Sequence, residues 1–165
     1  MLRLLLRLFL RLCLLGAVLL SACIGITSIP TPTVVRVWEA GEAGLYPLVI
    51  EAGLGTQRMV WRDMQYREAS RESIEEFIKW DITDRLRRTS LFDCDDFTLL
   101  FDANIHKWCA GIAVGQIGYL RADGKKHALN IIFMDGKFWL FEPQTDRLWE
   151  ASFEVLDGMV LWFLF

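Results

Sequence analysis

Apolar residues recur with two different spacings along this chain, and the change between them predicts the order of its elements. Over 70–80 and 93–108 they return every three to four positions, as on one face of an amphipathic helix. From 112 onward they form short β-rich runs, over 112–120, 127–134 and 137–142, separated by Asp-Gly pairs. Such pairs are typical of two-residue hairpin turns. The pattern therefore predicts two helices followed by an antiparallel meander.

Three shorter segments complete the predicted elements. Val34–Trp38 is predicted to be a strand, and Tyr46–Ile50 to be a further strand or the lining of a glycine-rich loop. Met159–Phe165 is wholly apolar, but its seven residues are too few to span a membrane. We therefore predict that it is a buried final strand.

The second helix has a thiol at its predicted start. Asp93 is a good N-cap, as Ser70 is for the first helix, so Cys94 becomes the first helical residue. A helix N-terminus favours a thiolate, which predicts a lowered pKa for Cys94. Asp95 and Asp96 suit the positive end of the helix dipole, but their charge opposes the thiolate.

The last hairpin places an imidazole near a carboxylate. If Asp135-Gly136 forms the turn, counting outward puts Leu129 opposite Glu142. His127 shares a face with Leu129, because strand side chains alternate with period two. His127 and Glu142 are then diagonal neighbours, which long side chains can bridge.

Cys94, His127 and Glu142 together offer the groups of a cysteine nucleophile, its base and an orienting acid. Backbone N–H groups at the helix start could stabilise an oxyanion. Each residue also has an ordinary interpretation: a small buried hydrophobe, an exposed turn residue and a strand end. The expected register between His127 and Glu142 favours the catalytic interpretation of the set.

A disulfide between Cys94 and Cys109 is a further alternative. If one helix separates them, their Cα atoms are about 20 Å apart at the helical rise. A disulfide needs Cα atoms within about 7 Å. The continuous helix and the bridge therefore exclude one another.

The first residues have the pattern of a secretory signal. Arginines at 3, 7 and 11 lie among leucines, an apolar run follows, and Leu20-Ser21-Ala22-Cys23 resembles the bacterial lipoprotein lipobox. This resemblance implies a signal peptide over 1–22, lipidation of Cys23, a tether over 23–33 and a domain over 34–165. An uncleaved membrane helix is disfavoured because the arginines recur until position 11. The predicted location is the cell envelope, anchored by lipid and facing the periplasm or the exterior.

The net charge of the chain argues against two classes of binding partner. The whole chain carries −3, and without the three arginines of the signal 15 basic residues stand against 21 acidic ones. This acidic balance argues against nucleic acid as a partner and against a basic contact with anionic lipid headgroups.

The segment from Ser90 to Trp149 resembles the papain-like and transglutaminase-like cysteine enzymes. More narrowly, the stretches beginning at Cys94, His127 and Glu142 are similar to the protease domain of the fungal agglutinins (chimerolectins) and its bacterial and phage relatives. The resemblance implies an α+β fold, in which a central helix carrying the cysteine packs on an antiparallel sheet. It also implies a Cys94–His127–Glu142 triad. Calcium dependence in that family would make Asp95 or Asp96 oxygen ligands.

The leading hypothesis from the sequence is a lipid-anchored cysteine hydrolase, a peptidase or amidase acting on a peptide or protein. The alternative is a catalytically inactive lipoprotein of the envelope or of a phage-derived element, which keeps the fold and acts as a binding module. The catalytic residues of the first hypothesis are Cys94, His127 and Glu142. No cofactor is required for that chemistry beyond the calcium that the family resemblance implies.

Overall fold

The structure is a computed structural model, and it describes residues 28–42, 44–55, 58–152 and 158–165. The predicted signal over 1–22, the lipidation site Cys23 and the first part of the tether lie outside these ranges, so they stay predictions. In the ranges that the structure does describe, no helix has both the length and the apolar character needed to cross a membrane.

The described chain contains a two-stranded antiparallel sheet and a larger, six-stranded sheet. The helices are α1 (Leu45–Glu51), α2 (Arg71–Trp80) and α3 (Cys94–Trp108), with a short 3-10 helix at Thr83–Arg85. The strands are β1 (Val34–Glu39), β2 (Met59–Val60), β3 (Gln65–Ala69), β4 (Val114–Arg121), β5 (Lys126–Met134), β6 (Lys137–Glu142), β7 (Arg147–Glu150) and β8 (Gly158–Leu164). β1 pairs with β3, and the six-stranded sheet has the order β2-β8-β4-β5-β6-β7.

The predicted class, an α+β papain-like core around a central helix, is corrected by this arrangement. The described chain is mostly β-sheet with few helices, and α3 is a surface helix: its Leu99 side chain is 59% exposed. The sheet is larger than the meander predicted from sequence, because β8 joins β4 and β2 joins β8. Those pairings link distant segments, which local sequence patterns do not indicate.

Both faces of the six-stranded sheet are covered, and the side chains of β5 show which elements pack on each face. Its Ile132 and Met134 pack with residues of α2 and α3, whereas Leu129 and Phe133 pack with residues of α1, β3 and β8. Asn130 lies on the α3 face, where its side-chain amide donates to the Thr98 carbonyl of α3 (3.0 Å). Strand alternation therefore puts His127 on the face away from α3.

Local predictions from caps and turns agree with the structure. Ser70 caps α2 by accepting from the Ser73 backbone N–H at 3.3 Å, and Asp93 caps α3. Asp135 and Gly136 both have positive φ, as a type I′ turn requires. The β5–β6 ladder has the predicted register and runs to Asn130 opposite Phe141. The predicted diagonal of His127 and Glu142 follows from it.

Two predictions for the shorter segments are wrong in whole or in part. Residues 45–51 form helix α1, not a strand, because Leu45 and Val49 are both fully buried one helical turn apart. The apolar C-terminal run is a strand as predicted, but it is only partly buried. Phe163 and Phe165 lie in the core, whereas Met159 is 60% exposed.

A buried ion pair ties β2 and the residues that follow it to α3. The Arg62 guanidinium donates to both carboxylate oxygens of Asp102, at 2.5 and 3.0 Å, and to the Val114 carbonyl at 2.9 Å. The Gln116 side-chain amide also donates to Asp102 (3.2 Å), and His106 lies 3.5 Å from it. Helical spacing predicts an exposed shoulder position for His106, but this side chain belongs to the network.

Candidate functional site

His127 and Glu142 form a close, partly buried pair at one end of the sheet. His127 opens β5, Glu142 ends β6, and His127 Nε2 lies 2.7 Å from Glu142 Oε2. A carboxylate can only accept, so Nε2 carries a proton; in the tautomer with a single ring proton, Nδ1 is the acceptor. The Gln144 backbone N–H donates to the other oxygen of Glu142 at 3.2 Å. The carboxylate is thus held from two sides and fixes the orientation of the ring.

The pair belongs to a row of side chains that crosses four neighbouring strands. Tyr119 of β4 is the cross-strand partner of His127, and their rings meet edge-on with centroids 5.7 Å apart. Arg147 of β7 is the partner of Glu142. Burial raises the pKa of Tyr119, the positive charge of Arg121 opposes this, and Glu142 adds to it. The Tyr119 hydroxyl therefore stays protonated and able to donate.

A cavity of about 530 Å³ lies over this row. It combines two aromatic rings with charged and hydroxyl side chains, and its lining is formed by Tyr119, Arg121, Ala122, Asp123, His127, Leu129, Glu142, Thr145, Arg147 and Trp149. Of these residues, the sequence patterns single out only His127 and Glu142. Alternation along β7 could have shown that Arg147 and Trp149 share a face, but β7 is not among the predicted strands.

Cys94 lies at the start of α3, and the environment of its thiol is unfavourable for a thiolate. Burial raises its pKa, the Ala128 backbone N–H lowers it, and the charges of Asp93 and Asp95 raise it further. The predicted lowering of this pKa is therefore wrong. The structure brings His127 and Glu142 together, and the Cys94 thiol lies beside the backbone N–H of Ala128, the residue that follows His127. It is also near enough to Tyr119 to raise the pKa of that residue. The catalytic roles assigned to Cys94, His127 and Glu142 stay a prediction.

The acidic residues beside Cys94 contribute to the cap of α3, and the role of Asp95 or Asp96 as calcium ligands stays a prediction. The Asp93 backbone N–H donates to Asp96 Oδ2 at 3.0 Å, which completes a capping box. One ligand atom each from Asp93, Cys94 and Asp95 lie within 4.8 Å of one another. Calcium takes six to eight oxygen ligands, so the carboxylates of Asp93 and Asp95 could supply part of its coordination. A hydrogen bond to Asp93 also raises the pKa of Asp95.

Both cysteines of the described domain are free, Cys94 partly exposed and Cys109 buried. The alternative of a structural Cys94–Cys109 bridge is therefore not formed. Instead, a continuous helix separates the two residues, as the sequence argument required.

We predict that Asp95→Asn makes alkylation of Cys94 by iodoacetamide several-fold faster at neutral pH. The negative charge of Asp95 disfavours the thiolate, which is the reactive form, so its removal increases the thiolate fraction. Mass spectrometry of time courses at several pH values measures the rate at Cys94. Asp123→Asn, which removes a carboxylate that is not next to Cys94, serves as the control. Equal alkylation rates in the parent and in both variants would show that Asp95 has no influence on the Cys94 thiolate.

Comparisons with known proteins show likeness at the level of fold. No protein-family model matches the chain, and no curated protein matches it. A solved structure described as a PSL1a-E64 complex matches with 22% identity and a TM-score of 0.62, over 74% of this chain and 48% of that one. Polyporus squamosus lectin bound to the human-type influenza-binding epitope Neu5Acα2-6Galβ1-4GlcNAc matches with 22% identity and a TM-score of 0.53, over 66% and 42%. This chain thus spans about half the length of these lectin structures.

These matches correct the functional hypothesis drawn from the sequence. The predicted membership of the papain-like cysteine proteases, the cysteine-hydrolase function and the peptide substrate are not supported, because the solved neighbours are lectin structures. The matches do not test the catalytic roles of Cys94, His127 and Glu142, which stay a prediction; of these three residues, His127 and Glu142 line the cavity. The alternative from the sequence, a binding module, fits the neighbours better.

Proposed function

We propose that this chain is a carbohydrate-binding module and that the cavity over His127 and Glu142 is its glycan site. The fold likeness to lectin structures motivates the proposal. The observation that carries it is the composition of the cavity, in which two aromatic rings lie among hydroxyl, imidazole, carboxylate and guanidinium groups. Binding sites for small ligands combine apolar walls with a few well-placed polar groups in this way.

The chemistry of a sugar suits these groups. A pyranose ring has an apolar face of C–H groups, which Trp149 and Tyr119 can cover. Its hydroxyls both donate and accept, so they can pair with the Tyr119 hydroxyl, with Nδ1 of His127 and with the Thr145 hydroxyl. Because Glu142 fixes the His127 ring at 2.7 Å, the acceptor of that ring is held in one place before a ligand arrives.

The test is a screen of the full chain against neutral and acidic oligosaccharides, followed by titration of every sugar that binds. We expect Trp149→Ala to weaken binding about tenfold, which corresponds to about 1.4 kcal/mol. Trp139→Ala is the matched control, because Trp139 lies on the adjacent strand and packs on the α3 face of the sheet.

The proposal fails if no sugar in the panel binds. It also fails if Trp149→Ala and Trp139→Ala weaken binding equally while both proteins keep the parental melting temperature. In that case the sugar does not occupy this cavity.

A further inference from the structure

We infer that the preferred ligand of this cavity is an acidic saccharide, whose carboxylate is bound by the guanidinium groups of Arg121 and Arg147. The inference rests on the proposed carbohydrate binding and adds the chemical class of the sugar. It depends on which polar groups in the cavity already have partners within the protein.

The two carboxylates that line the cavity are already hydrogen-bonded. Glu142 accepts from His127 Nε2 at 2.7 Å on one oxygen and from the Gln144 backbone N–H at 3.2 Å on the other. Asp123 accepts from the Lys125 backbone N–H at 3.1 Å, and its second oxygen lies 3.5 Å from Lys125 Nζ. Both carboxylates of the cavity therefore already have hydrogen-bond donors within the protein.

The two arginines are much less engaged. Arg121 forms only a long, exposed ion pair with Asp123, in which Nε lies 3.9 Å from Oδ1 and is too far for a hydrogen bond. The Arg147 guanidinium lies over the Trp149 ring at 5.6 Å from its centroid, near the outer limit of a cation–π contact. A guanidinium carries five N–H donors in a planar fork that matches a carboxylate.

The positions of Arg121 and Arg147 allow both guanidinium groups to contact the same ligand. Arg121 ends β4 and Arg147 begins β7, so the two side chains flank the cavity from opposite sides of the β5–β6 hairpin. A ligand over His127 lies between them, and Arg147 stands directly beside the aromatic ring of Trp149. A neutral sugar would leave both charges unused, whereas a carboxylate can form a bidentate pair with either one.

The test compares methyl β-glucuronide with methyl β-glucoside, which differ by a carboxylate in place of a hydroxymethyl group. Dissociation constants are measured by NMR titration of the full chain. We expect the glucuronide to bind at least about tenfold more tightly at low salt, and this preference to shrink as sodium chloride rises.

Arg121→Gln and Arg147→Gln, singly and together, assign the preference to these side chains. We expect the double variant to bind the glucuronide and the glucoside with equal affinity, because the groups that pair with the carboxylate are gone. Arg36→Gln is the matched control, because Arg36 also lies over a tryptophan, Trp38, at 3.9 Å, but on β1. It should keep the parental preference.

The outcomes separate this inference from the proposed function. Equal affinity of the parent for both sugars, or a preference that survives in the double variant, would overturn the acidic-sugar inference and leave carbohydrate binding intact. Failure of every sugar in the broader oligosaccharide panel to bind would remove the proposed function itself.

Discussion

Asp102→Ala is expected to lower the free energy of unfolding by about 3 kcal/mol, because it leaves the Arg62 guanidinium without its buried counter-charge. The Asp102 side chain is only 5% exposed, and it accepts from Arg62 through both oxygens. Removing one partner of a buried pair costs about 3–5 kcal/mol. We expect the lower end of that range, since the Arg62 side chain is 30% exposed and regains part of its hydration.

Urea denaturation at neutral pH measures this effect, and pH provides a second check. Burial raises the pKa of Asp102, but hydrogen bonds from His106 and Arg62 outweigh it, so the pKa lies below its ordinary value. The stabilisation is therefore present above the unfolded-state pKa of an aspartate and is lost as pH falls through the folded-state value. The difference between variant and parent should shrink in acid.

The exposed pair of Lys137 and Glu150 is the control for this prediction. Lys137 Nζ lies 2.9 Å from Glu150 Oε1, but the two side chains are 58% and 52% exposed. Glu150→Ala should cost less than about 1 kcal/mol, as is usual for surface ion pairs. Equal losses for Asp102→Ala and Glu150→Ala would show that burial does not strengthen the Arg62–Asp102 contact.

Phe101→Ala is expected to cost about 4 kcal/mol of unfolding free energy, within the range of about 3–5 kcal/mol found for buried phenylalanines. Phe101 is fully buried, and its ring centroid lies 4.3 Å from that of Phe141 and 5.9 Å from that of Phe77. One ring thus joins α3 to β6 of the sheet and to α2. Its loss leaves a cavity where three elements meet.

Leu99→Ala is the matched control on the same helix, because its side chain is 59% exposed. We expect a change within about 0.5 kcal/mol, which is usual for surface positions. Guanidinium denaturation of both variants measures the difference. Similar losses at the two positions would mean that α3 does not pack on the sheet through Phe101.

Features fixed by neighbouring residues could be predicted from the sequence. The caps at Ser70 and Asp93 depend on side chains within one helical turn, and the β5–β6 register depends on the Asp135-Gly136 turn. For this reason turn chemistry alone is enough to place His127 and Glu142 beside each other. These predictions needed no knowledge of distant contacts.

Features fixed by distant contacts could not be predicted in this way. Arg62 and Asp102 are 40 residues apart, and neither carries a local signal of its partner. The face of the sheet that α3 covers depends on the packing of Phe101 and its neighbours, which no short motif specifies. The position of the Cys94 thiol beside the Ala128 backbone N–H likewise depends on how α3 packs on the sheet.

The most direct test of the central claim is to map where an oligosaccharide binds, by following backbone amide chemical shifts of the isotope-labelled full chain during titration. We predict that shifts concentrate at Tyr119, Arg121, His127, Thr145 and Trp149, the residues around the cavity. Two results would contradict the claim: the absence of any sugar-dependent shift at these positions, or cleavage of a peptide that is abolished by Cys94→Ala.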